Sequence, residues 1–141
     1  MDMSLLRIRS RKLLVMLYWR TNICRAREGW YVMPQLTVRG IGQEQLAAIS
    51  KPLVEELARI CETTVDNFTI DRLTVDSVFD GHPAATYPFI EVAWFDRGRE
   101  ARNRFAEATT RRLREAGVLE VEIAFKAYAP DAYYINGEPC D

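Results

Sequence analysis

The sequence predicts an α+β fold built from two β-α-β repeats, a four-stranded mixed sheet with both helices on one face. Three observations point there. Pro34-Gln35-Leu36-Thr37-Val38 and Pro88-Phe89-Ile90-Glu91-Val92 are strands of the same pattern, each opening on proline. Each is followed by one stretch of helical period, and each helix by a further strand. A crossover helix makes the strands it joins parallel and the connection right-handed.

The elements follow in order. Leu36 and Val38 alternate with Thr37 and Arg39, the period of a half-buried strand, and Gly40 and Gly42 end it. From Gln43 to Glu62, Leu46, Ile49, Leu53, Leu57 and Ile60 recur at three- and four-residue steps, which makes an amphipathic helix. Pro52 lies inside it, so a kink near Ile49 or a restart at Pro52 is expected. Val65 to Asn67 reads as a turn, Phe68 to Phe79 as one strand, and Asp80-Gly81-His82-Pro83 as a tight turn. After the Pro88 strand, Asp96 is the expected N-cap of a helix running to about Ala116. Phe105, Ala108 and Leu113 face inward, an arginine-rich face is solvated, and Gly117 closes the helix. Leu119, Val121, Ile123 and Phe125 alternate as a strand, and Asn136-Gly137 marks a turn in the tail. The sheet face away from the helices is expected to keep apolar side chains, which a small two-layer domain commonly covers by oligomerising.

Composition narrows the function. The chain has 141 residues and a formal net charge of -1, one domain's worth and not a generally basic nucleic-acid binder. Cys24, Cys61 and Cys140 are far apart and odd in number, which speaks against a disulfide framework and for thiols in a reducing compartment such as the cytoplasm. With His82 as the sole histidine, no zinc site is expected. No apolar run is long enough to span a bilayer.

Residues 1–32 differ from the rest. They carry Arg7, Arg9, Arg11, Lys12, Arg20, Arg25 and Arg27 against Asp2 and Glu28. The run Leu13 to Trp19 ends on Arg20 with no small-residue cleavage site, a poor secretory signal. A transit peptide or a basic membrane-surface helix would suit this composition. The expectation is instead an upstream leader included by an early start. Glu28-Gly29 must be encoded by GAA or GAG followed by GGN, a purine run resembling a bacterial ribosome-binding site at a workable distance from the Met33 codon. The domain itself is then 33–141. If Met33 starts the chain and is removed, Pro34 exposes a secondary amine, a base near neutral pH. If residues 1–33 stay attached, its nitrogen is an amide.

The Met33-Pro34 start, the repeat at Pro88 and the tail Ala132-Tyr133-Tyr134-Ile135-Asn136-Gly137-Glu138 resemble the tautomerase superfamily, which includes 4-oxalocrotonate tautomerase (4-OT) and macrophage migration inhibitory factor. The segments Pro34 to Gly40 and Glu91 to Gly98 look still more like a bacterial branch of it known as a domain of unknown function. The resemblance covers Met33 to the end. It implies a homotrimer and a proline amine acting as general base on a small keto or enol acid, with no metal or organic cofactor. Pro34 is then the catalytic base. A free α-amine titrates near 8, and nearby cations and an apolar pocket lower it.

Substrate carboxylates call for arginine. Arg39, on the alternate face of its strand, either binds a carboxylate or is a solvated or interface cation. Arg72 falls near a strand arginine of short tautomerases, or is a surface charge beside Asp71. Arg97 falls where the superfamily places a loop arginine, or is a helix-end ion pair. Tyr133 matches the aromatic position of the tail, and Asn136 stands where short tautomerases have a glycine. The loop arginine of the first repeat is absent, with Gly42, Gln43 and Glu44 in that region. The competing expectation is a non-catalytic trimeric binding or scaffold protein of the same fold.

Overall fold

The computed structural model describes residues 34–140, and the expectation for residues 1–32 lies outside them. The described residues form two units, a body over 34–129 and a tail over 130–140. In the body, strand β1 (Gln35–Arg39) leads to helix α1 (Gln43–Ile60), a 3-10 turn (Val65–Asn67) and β2 (Thr69–Arg72). A small hairpin, β3 (Ser77–Phe79) and β4 (His82–Ala84), connects to the second repeat. That repeat is β5 (Phe89–Trp94), α2 (Arg99–Glu115) and β6 (Glu122–Ala127). The main sheet has the order β2-β1-β5-β6. Both outer pairs are parallel, as crossover helices require, and the central β1–β5 pair is antiparallel.

Register explains the layering. Leu36 lies beside Ile70 and Val92, Val38 beside Ile90, Ile90 beside Ile123 and Val92 beside Phe125. All of these point to one face and pack with Leu46, Ile49, Leu53 and Leu57 of α1 and Phe105, Ala108 and Leu113 of α2. Both helices therefore cover the same side of the sheet. Trp94, Phe105 and Phe125 form its aromatic centre, with ring centroids 4.8–5.7 Å apart and two of the three contacts edge-on. Thr109 is buried on α2 and satisfies its hydroxyl by donating to the Phe105 carbonyl at 2.8 Å.

Several expectations need correction. The opposite sheet face is largely polar: Gln35, Thr37, Asp71, Glu91, Glu122 and Lys126 lie on it, with Phe89, Ala93 and Ala124 its apolar members. Period-two alternation has sent nearly the whole apolar set towards the helices. Phe68 to Phe79 is not one strand, because β2 ends at Arg72 and pairing resumes at Ser77 in a separate hairpin. Its turn residues Asp80 and Gly81 both have positive φ, 50° and 76°, the conformation of a two-residue hairpin loop. β6 starts at Glu122, leaving Leu119 75% exposed. α1 is continuous through Pro52 and does not restart there. The N-cap of α2 is Gly98, whose φ of 91° suits glycine, while Asp96 accepts a hydrogen bond from the Gly98 N–H at 3.0 Å and shapes the preceding loop.

The arginine-rich face of α2 is not simply solvated. Arg111 and Arg112 both bind Glu56 of α1, with Arg112 Nε 3.0 Å from the carboxylate. Gln45 adds a second tie, donating to the Ala116 carbonyl at 3.2 Å and accepting from the Gly42 N–H at 3.2 Å. Burial alone would raise the Glu56 carboxyl, but the hydrogen bond from Arg112 and the charge of Arg111 outweigh it and hold it below the ordinary value. A depressed carboxylate adds stability above its unfolded pKa and loses it as pH falls through the folded value. Glu56→Gln is expected to cost about 0.5–1 kcal/mol at pH 7, since the cluster is largely solvent-screened. The difference from wild type should vanish as the pH is lowered below the carboxylate range, read by urea unfolding at several pH values.

The tail is a 3-10 turn (Pro130–Ala132) and a minimal hairpin of β7 (Tyr134–Ile135) and β8 (Glu138–Pro139). Asn136 and Gly137 form its loop with φ of 52° and 84°, the turn that the sequence signals. The Cys140 N–H closes the unit by donating to the Tyr133 carbonyl at 2.9 Å.

Candidate functional site

Pro34 opens β1 at one end of the sheet and is almost fully buried. Its carbonyl accepts the Thr69 N–H at 3.3 Å, which fixes the start of β1 against β2. On the other side Gln35 pairs with Ala93, so the antiparallel ladder brings the end of β5 alongside Pro34. Three features meet there. Trp94 ends β5 and is buried. Phe95 follows it, also buried. Arg97 folds back from the loop, with its guanidinium 5.5 Å from the Trp94 ring centroid and Nη1 donating to the Phe95 carbonyl at 3.0 Å. The stack fixes a planar cation over an aromatic face, where Arg is preferred to Lys.

Cys61, at the C-cap of α1, belongs to the same end. Burial pushes its thiol up to about 11, against the opposing charge of Arg97. It is therefore a protonated packing group at neutral pH and not a thiolate nucleophile.

The other expected arginines lie elsewhere. Arg39 is at the far end of β1, about 16 Å along the strand from Pro34. Its guanidinium sits 4.9 Å over the Phe89 ring. Arg72 ends β2 at that same far end and is bound into the structure, with Nε donating to the Ile41 carbonyl at 2.7 Å and Nη1 3.5 Å from the Thr74 hydroxyl. Of the three, Arg97 alone shares the Pro34 end within the body. Tyr133 and Asn136 belong to the tail unit, Tyr133 half-buried and Asn136 at the hairpin loop. Among the described residues no group of three or more His, Cys, Asp or Glu is placed to hold a metal ion. No helix of these residues is long and apolar enough to cross a membrane.

Sequence reasoning missed two neighbours of this end. Trp94 is a core residue whose ring also carries Arg97. Cys61 is buried at the end of α1 and feels the Arg97 charge. The antiparallel β1–β5 pairing, which no local pattern encodes, puts Trp94 beside Pro34.

The fold is shared with solved structures. A domain of unknown function from Sebaldella termitidis is 34% identical, with a TM-score of 0.70 over 76% of this chain and 99% of that one. A fused 4-OT, described as a wild type asymmetric trimer, matches at 13% identity and a TM-score of 0.64, over 76% of this chain and 96% of that one. A protein described as Pt0534 inactivated by 2-oxo-3-pentynoate matches at 13% identity and a TM-score of 0.62, over 76% of this chain and 97% of that one. Both of these low-identity likenesses concern the fold. No curated protein matches the sequence. The profile of the domain of unknown function DUF1904 matches residues 33–139, nearly all of the described fold, and the chain belongs to the DUF1904 family, whose fold is that of the tautomerase superfamily.

Proposed function

We propose that the protein is a cofactor-free, cytoplasmic isomerase of tautomerase type, assembled as a homotrimer. Its base is the amine of Pro34 in a chain that begins there, and its substrate is a small keto or enol acid. The observation that carries this reading is the convergence of buried Pro34, the Trp94 wall and the stacked Arg97 at one end of the sheet. The amine takes a proton from the enol hydroxyl or from a carbon beside the keto group, and returns it to a carbon of the same molecule. Arg97 binds the substrate carboxylate and lowers the proton affinity of the amine. Trp94 and Phe95 keep the site dry, which strengthens both effects. The relative inactivated by 2-oxo-3-pentynoate, itself a keto acid, supports this substrate class.

A non-catalytic trimeric scaffold is the second reading. It is favoured by Arg72, whose Nε and Nη1 bind Ile41 and Thr74, and by Arg39, which sits at the other end of β1 from Pro34. Expression from Met33 separates the two. Blocking the Pro34 amine by N-terminal acetylation is expected to slow turnover of enol-pyruvate probes by about 10²–10⁴-fold, the usual contribution of a general base, with the size-exclusion profile unchanged. Alanine at this position keeps a basic α-amine of its own and is the weaker test. Unaltered turnover after acetylation sinks the proline mechanism.

A further inference from the structure

The internal repeat gives the sheet a second end built like the first. As the Thr69 N–H binds the Pro34 carbonyl, so the Glu122 N–H binds the Pro88 carbonyl, at 3.1 Å. Because β1 and β5 are antiparallel, the two prolines stand at opposite ends. Pro88 is internal, so its nitrogen is an amide and offers no base. Its end nevertheless holds a cleft of about 360 Å³ lined by Arg39, Ser77, Thr86, Tyr87, Phe89 and Glu122. Arg39, Phe89 and Glu122 form one row across three strands. Neither Arg39 nor Glu122 makes an ion pair with another described residue. Arg39 lies over the Phe89 ring, 4.9 Å from its centroid, and Glu122 follows on the next strand, so two opposite charges stand with their backbones two strand spacings, or about 10 Å, apart.

The wall opposite is fixed. Ser77 and Thr86 hydrogen-bond through their hydroxyls at 2.7 Å, which closes the base of the β3–β4 hairpin. Gly40 lets the end of β1 lie against Thr86 and Tyr87. A Cβ there would stand 2.5 Å from the Tyr87 carbonyl oxygen, and the φ of 76° itself favours glycine.

We infer that this cleft binds a small zwitterion, an α-amino acid with an aromatic side chain. Its carboxylate pairs with Arg39, its ammonium with Glu122, and its ring packs on the exposed Tyr87. A single arginine would accept any anion and a single glutamate any cation. The pair selects a ligand carrying both charges, because a singly charged analogue leaves one protein charge without its partner. The cleft volume is at the small end of the range for small-molecule sites. No bond changes at this site; it is a binding site only.

The test titrates the full chain with L-phenylalanine, 3-phenylpropanoate and 2-phenylethylamine, following backbone amide shifts by NMR. Phenylalanine is expected to bind at least about tenfold more tightly than either analogue, one charged hydrogen bond's worth. The shifts should centre on Ser77, Thr86, Tyr87 and Phe89. Arg39→Gln and Glu122→Gln alter exposed side chains and should leave thermal unfolding unchanged. Each is expected to weaken phenylalanine about tenfold, to the level of the analogue lacking the matching charge. Equal binding of phenylpropanoate and phenylalanine, phenylalanine binding unaffected by either variant, or no shift at these four residues with any ligand overturns the inference.

Discussion

A chain that keeps residues 1–33 is expected to turn over enol-pyruvate probes at least about a hundredfold more slowly than one beginning at Pro34. The two differ by one bond at the nitrogen that has to accept the proton. In the extended chain that nitrogen is an amide, its lone pair delocalised into the carbonyl and of no use as a base. In the shortened chain it is a secondary amine whose ordinary titration lies near 8, and a cation such as Arg97 at the same end of the sheet would lower it. Activity of the shortened chain should rise with pH through that titration, since only the uncharged amine accepts a proton. Intact mass establishes which chain is present, and steady-state rates from pH 5 to 9 make the comparison. Equal rates for the two chains would end the proline reading, and an inert, trimeric shortened chain would favour the scaffold.

Phe105→Ala should cost about 3–5 kcal/mol, a large share of the roughly 5–15 kcal/mol that holds a domain folded. Phe105 has no exposed surface, sits on the inner face of α2, and packs edge-on against both Trp94 and Phe125. Removing it opens a void where the second helix meets β5 and β6, and close-packed neighbours collapse only partly into such a space. Trp94 is the only tryptophan from Pro34 onward and lies in contact with the void, so its emission in a urea titration reports the loss directly. Leu119→Ala is the control. That side chain is 75% exposed, and its removal should change stability by less than about 0.5 kcal/mol. A Phe105→Ala midpoint close to that of wild type would mean that the aromatic cluster is not where the folding energy resides.

The fold was legible because two independent signals agree. The two prolines with alternating Leu36-Val38 and Ile90-Val92 define the inner strands, and the three- and four-residue spacing from Leu46 to Leu57 defines the first helix. What escaped was tertiary. Phe68 to Phe79 has enough β-branched and aromatic residues to read as one strand, yet pairing to β1 ends at Arg72, where β1 itself is turning at Gly40. Asp96 is a good cap by composition, but Gly98 takes that place because the loop needs a positive φ there. The Arg111–Arg112–Glu56 cluster joins residues more than fifty apart, beyond the reach of local patterning. Of the candidate residues, Pro34 and Arg97 lie at one end of the sheet and Arg39 and Arg72 at the other, a division that a strand's sequence does not show, because it tells which face a residue takes but not which end its neighbours occupy.

The repeat has a mechanical consequence. The two β-α-β halves meet through the β1–β5 ladder, the shared aromatic and aliphatic core, and the Glu56 and Gln45 ties between helices. Their covalent link is the exposed β3–β4 hairpin and its flanks, which belong to neither layer. Almost nothing that holds the halves together passes along that link. The domain is, in effect, a heterodimer whose two subunits happen to share a backbone.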